Sequence, residues 1–135
     1  MFLSPLRKIL LRVADNFKAQ GSLLVIFIND SRMIKLNTNY MGKDAPTDVL
    51  AFDLAEKPKR RYIEGEIYVN LQAARRQSLD LQLDYREEIA RLCVHGFLHL
   101  LGYDDLKVGD RKKMWQIQES YIDRLQKRVI DGRKR

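Results

Sequence analysis

Cysteine is nearly absent from the chain. Cys93 is the only one, so no internal disulfide can form. A lone thiol on the apolar side of a helix is expected to serve packing. Long apolar runs are missing as well. The longest, Leu23 to Ile28, is far too short to cross a bilayer. The N-terminal stretch is apolar but has neither a basic leader nor a cleavage site, so a cytoplasmic protein with no membrane association is expected. No repeat and no linker interrupt the pattern, and residues 1–135 read as a single domain long enough for a proper core. Histidine is scarce too: the chain has two.

Charge and apolar residues are present in good measure. Hydrophobic residues make up 45% and charged residues 32%, the balance of a soluble globular protein. The formal net charge of +7 favours a polyanionic partner. Basic residues cluster at Lys57, Lys59, Arg60 and Arg61 and again at Arg133, Lys134 and Arg135. Both runs can track a nucleic-acid backbone, and both are also what a solvated surface looks like.

The two histidines, His95 and His99, stand four positions apart. On a helix they share one face and their imidazoles can converge on one point. Gly102 supplies the backbone freedom to end that helix, so the chain can turn back and carry Asp104 or Asp105 toward them. Two imidazoles and a carboxylate suit a divalent transition metal, typically zinc, and three protein ligands leave a position open for water. Core histidines bonded to backbone are the competing reading, and the spacing does not decide between Asp104 and Asp105. Many zinc hydrolases carry a glutamate after the first histidine as general base. Here that position is Gly96, which disfavours a protease of that type. A glycine inside a helix costs about 1 kcal/mol relative to alanine, so another element or a substrate is expected to approach closely there.

The periodicities place these residues in an α+β domain, a small mixed sheet with helices packed on it and both histidines on one helix. Ser4 and Pro5 open a first helix with the stripe Leu6, Ile9, Leu10, Val13 and Phe17, ended by Gly21. Ser22 to Asn29 reads as a strand. Asp30 or Ser31 caps a short helix bearing Met33, Leu36 and Tyr40 and stopping at Gly42. Val49 to Leu54 is the next strand, and the strand–helix–strand order predicts a parallel crossover. After a polar loop from Ala55 to Glu64, Gly65 to Asn70 forms a strand antiparallel to the one before, and Asn70 caps a helix over Leu71 to Leu79. Asp84 and Glu87 make a capping box for the histidine helix, whose stripe is Ile89, Leu92, Leu98 and Leu101. Asp110 caps a last helix carrying Met114, Ile117, Tyr121 and Leu125, and residues 131–135 read as a disordered end.

Three blocks, in the same order, resemble the YbeY family of metal-dependent endoribonucleases. The run His95-Gly96-Phe97-Leu98-His99-Leu100-Leu101-Gly102-Tyr103-Asp104-Asp105 is similar to that family's His-Gly-x-Leu-His-Leu-x-Gly-Tyr-Asp-His. The segment from Asn37 to Phe52, with Tyr40-Met41-Gly42-Lys43-Asp44-Ala45-Pro46-Thr47-Asp48, matches a second block, and Gly65-Glu66-Ile67 a third. The resemblance implies a single-strand-specific endoribonuclease acting in 16S rRNA 3′ end maturation and ribosome quality control. It further implies single-stranded rRNA and the small ribosomal subunit as partners, with no DNA. It assigns His95, His99 and Asp105 to one zinc ion per chain, other divalent transition metals being possible.

The sequence departs from that family in three places. Asp105 stands where the third histidine is usual, which adds negative charge and makes the ion a somewhat weaker Lewis acid. Met41 stands where arginine is usual. A first short strand is missing, so the sheet is expected to lack one edge. Lys43, Asp48 and Asp104 are the candidate catalytic residues. Lys43 reads either as a phosphate contact or as a solvated lysine. Thr47 and Asp48 read either as a turn opening the strand or as cleft lining. Trp115 and the tyrosines read mostly as core, with base stacking as the functional alternative. Two other functions stay open: a metal hydrolase on a small phosphoester or an amide, and a ribosome-binding assembly factor with weak or lost catalysis, which Met41 keeps alive.

Overall fold

A computed structural model describes residues 2–42, 47–56, 61–104 and 106–133. The first helix, α1 (Leu3–Phe17), turns Leu6, Ile9 and Val13 inward at helical spacing. Ser4 and Pro5 sit inside its first turn, and no side chain caps it. It ends at Lys18, whose left-handed backbone (φ 53°) lets its N–H bond back to Ala14 and Asp15. Gly21, expected to end the helix, lies instead in strand β1 (Gln20–Ile28) at φ +116°, where a Cβ would collide with the Ile63 carbonyl. Its role is close strand approach.

Helix α2 (Asp30–Met41) is capped by Asn29, not by Asp30 or Ser31: the Asn29 side chain accepts the Arg32 N–H at 3.0 Å. It buries Met33 and stops at Gly42 as expected. Strands β2 (Val49–Asp53) and β3 (Tyr62–Asn70) follow, and β3 begins within the stretch expected to be loop. Among the described residues the sheet has three strands in the order β1-β3-β2. β3 pairs parallel with β1 and antiparallel with β2, the latter as expected. β2 therefore runs opposite to β1, and the expected parallel crossover between those two does not exist. The parallel link joins β1 to β3 instead. β3 takes the centre because Ile63, Ile67 and Val69 alternate as buried residues along it.

Asn70 ends β3 and opens α3 (Leu71–Asp80), its Oδ1 accepting the N–H groups of Gln72 and Ala73. Its Nδ2 donates to Asp30 at 2.7 Å, and Arg76 grips the same carboxylate through two nitrogens. These bonds, Arg76 first and Asn70 second, hold the Asp30 carboxyl down to about 2 from 3.8. A depressed carboxylate stabilises the fold above its unfolded pKa and loses that effect as pH falls through the folded value. Asp30→Asn should therefore lower the urea midpoint at neutral pH and flatten its fall between about pH 4 and pH 2. Parallel acid profiles of mutant and wild type would refute this.

The histidine helix, α4 (Tyr85–Leu100), is the spine of the molecule. Asp84 caps it through the Glu87 N–H, but the Glu87 side chain turns to Arg91 rather than closing the box. Ala90, Cys93, Val94 and Leu98 are wholly buried, joining Val13, Ile67, Val69, Met114 and Ile122 in one core. Burial pushes the Cys93 thiol up to about 12, which fits a packing residue. Gly96 is needed for packing as well: a Cβ there would stand 2.9 Å from Ile67 and 3.3 Å from Val49, so the approaching element is the sheet. The last helix, α5 (Val108–Arg133), starts two residues before Asp110, which sits in the first turn instead of capping it. It runs through residues 131–133, where a disordered end was expected, while Lys134 and Arg135 lie outside the described residues, as does the Leu125 side chain. No helix among the described residues is long and apolar enough to cross a membrane.

Candidate metal centre

His95 and His99 come together near the end of α4, with ring centroids 4.7 Å apart and planes nearly perpendicular. Their Nε2 atoms face each other at 3.1 Å. Each Nδ1 is committed elsewhere. His95 Nδ1–H donates to Gln118 Oε1 of α5 at 2.8 Å, and His99 Nδ1–H donates to the Tyr103 carbonyl oxygen at 3.1 Å. The Gln118 orientation is set by its own Nε2, which donates to Glu119. Acceptors on both Nδ1 atoms fix the tautomers, so neutral rings turn two Nε2 lone pairs toward the same point. A cation between them resolves that opposition, and hydrogen-bonded outer partners are the usual support of imidazole ligands. The donor set thus fits a divalent transition metal.

The turn after α4 is built to serve this pair. Leu101, Gly102 and Tyr103 send their N–H groups back to the last carbonyls of α4, with Gly102 at φ +101°. That fold-back delivers the Tyr103 carbonyl to His99. The Tyr103 ring rests edge-on against Phe17 at 5.7 Å, tying the turn to α1. Among the described residues no third histidine, cysteine or carboxylate completes the set. Asp105, expected as the third ligand, lies outside the described residues, as do Lys43 and the Met41 side chain. Asp104 is exposed, and its carboxylate accepts the Leu106 N–H at 2.6 Å, a local turn bond.

Asp48 lines a cleft of about 320 Å³ together with His95, Arg91, Arg111, Trp115 and Gln118. Gln77 donates to its Oδ2 at 3.1 Å. Asn70 pins the turn on either side of it, donating from its backbone to the Asp48 carbonyl and from Nδ2 to the Thr47 carbonyl. Asp48 therefore sits in the turn before β2 and lines that cleft. A larger apolar groove of about 630 Å³ between α1 and β1 contains none of these groups.

Several cleft residues escaped the sequence reading. Arg91 carries bonds to Glu87, Glu88 and both oxygens of Glu119. Burial works against its charge, but the carboxylates, Glu119 foremost, outweigh it and raise its pKa above the ordinary value. Gln118 is buried, while Trp115, expected mostly as core, is 59% exposed. The signal was the helical series Arg111, Met114, Trp115, Gln118 on one side of α5, but only the fold shows that this side meets α4.

The chain is similar to known proteins over most of its length. A family profile described as endoribonuclease YbeY matches residues 3–126. A Persephonella marina endoribonuclease YbeY is 40% identical over 104 residues, covering 75% of this chain and 68% of the relative. One from Pelotomaculum thermopropionicum is 38% identical over 117 residues, covering 83% and 77%. The solution structure of a Thermotoga maritima protein superposes with a TM-score of 0.71 at 26% identity, covering 97% of this chain and 85% of that one.

Proposed function

Since the chain belongs to the YbeY endoribonuclease family, we propose that it cuts single-stranded ribosomal RNA, maturing the 16S 3′ end and serving ribosome quality control. The observation that carries the site assignment is the pair of Nε2 atoms 3.1 Å apart with both Nδ1 atoms hydrogen-bonded. His95 and His99 would hold one divalent transition ion, zinc by ligand type, with Asp105 as third ligand. Such an ion, when bound, supplies an acidified water and polarises a phosphoryl oxygen. Asp48, oriented by Gln77, stands in the same cleft to accept a proton from the attacking water. Asp104 and Lys43 are the remaining candidates, Lys43 for phosphate. The protein would work as one domain in the cytoplasm with the small ribosomal subunit as partner. The net charge of +7 supports a polyanionic substrate over a small ester or an amide.

The test uses a single-stranded RNA spanning the 16S 3′ end. Protein carrying about one zinc per chain should cleave it, chelation should stop cleavage, and zinc should restore it. Binding should weaken with salt, and neutralising Lys59, Arg60 and Arg61 together should flatten that slope. Binding without cleavage by metal-loaded protein would favour the assembly-factor reading. Cleavage indifferent to chelator would overturn the metal assignment.

A further inference from the structure

α5 offers the histidine cleft two side chains that the fold itself leaves uncommitted. Trp115 is 59% exposed and is the only tryptophan in the chain. Arg111, one turn earlier, is exposed, and its guanidinium makes no hydrogen bond or ion pair among the described residues. Its neighbours differ: Arg91 in the same cleft is held by three glutamates, and Arg76 by Asp30. Arg111, Trp115 and Gln118 follow at i, i+4 and i+7, so they lie along one helix face within about 10 Å of axis. The far end of that row holds His95 through Gln118.

We propose that Arg111 and Trp115 form a nucleotide subsite, the indole stacking on one unpaired base and the guanidinium taking the adjoining phosphate. The proposal rests on the endoribonuclease reading and deepens it, because it supplies the selection for single strands. A base inside a duplex has no free face for the indole, whereas an unpaired base has one whatever its identity. Stacking therefore selects strandedness and tolerates sequence. A guanidinium on phosphate adds register along the strand. With Gln118 one turn on, a nucleotide held at this row brings its neighbour to the imidazole pair.

Trp115 is its own probe, since no other tryptophan contributes to the emission. Metal-loaded protein is titrated with a short end-labelled single-stranded oligoadenylate whose backbone resists cleavage, reading tryptophan fluorescence and label anisotropy together. The two signals should change in step and saturate. An abasic strand of equal length, or the same strand hybridised to its complement, should leave the fluorescence nearly unchanged. Trp115→Leu should weaken binding about tenfold while Trp115→Phe keeps most of it. Arg111→Gln should lower the salt slope by roughly 0.7. Urea midpoints matching wild type show that the variants fold, and the wild-type fluorescence decides on its own if one does not. Anisotropy that rises with unchanged fluorescence, and a leucine variant within twofold of wild type, would overturn the subsite and leave the ribonuclease reading standing. No anisotropy change in wild type would overturn both.

Discussion

His99→Ala should leave the protein folded but without bound metal and without RNA cleavage. Removing a ligand from the proposed three-ligand site costs more than removing an outer partner, which alone is typically worth roughly 10–100-fold. Metal content should therefore fall from about one per chain to near zero, and cleavage by well over a hundredfold. His95→Ala should do the same. The folded state should survive because both imidazoles are only half-buried and neither belongs to the continuous core. Elemental analysis after reconstitution, read beside a urea melt, checks both parts. Full metal content in either variant would return the histidines to a packing role.

The legible parts of this molecule are those carried by local chemistry. His95 and His99 could be paired because helical periodicity alone puts residues four apart on one face. Asn70 as a cap and Gly96 as a place of close approach follow from what those residue types do in any helix. The illegible parts depend on pairing across the chain. Strand direction is not written in alternation, and β2 could be read as parallel to β1 because β3 had not yet been placed between them. The bond from Gln118 to His95 spans 23 positions and exists only because α5 lies along α4. The placement of Trp115 is hidden for the same reason. The residue stands about 100° or more around α5 from Met114 and Tyr121, which are buried, and that offset leaves the indole exposed in the cleft.

Arg91→Met should be among the most destabilising single changes outside the apolar core. The guanidinium is the common partner of Glu87, Glu88 and Glu119, and all four side chains are largely buried, at 16%, 8%, 7% and 16% exposed in that order. Methionine fills the volume but leaves three carboxylates facing one another in a poorly solvated space. Breaking a buried pair by removing one partner typically costs 3–5 kcal/mol. Solvent still reaches the rim of this cluster, so the lower end, about 3 kcal/mol, is expected from the urea midpoint. Glu119→Gln is the milder change, since Arg91 keeps two carboxylates, and about 1 kcal/mol is expected. The two variants should also weaken metal binding, because Glu119 orients the Gln118 amide that fixes the His95 tautomer. Glu87→Gln, which touches Arg91 but not Gln118, should lose stability while holding its metal. A stability loss in Arg91→Met below about 0.5 kcal/mol would mean that the cluster is solvated and contributes little. A stability loss of the expected size with unchanged metal affinity would separate the cluster from the histidine pair and confine Arg91 to joining α4 and α5.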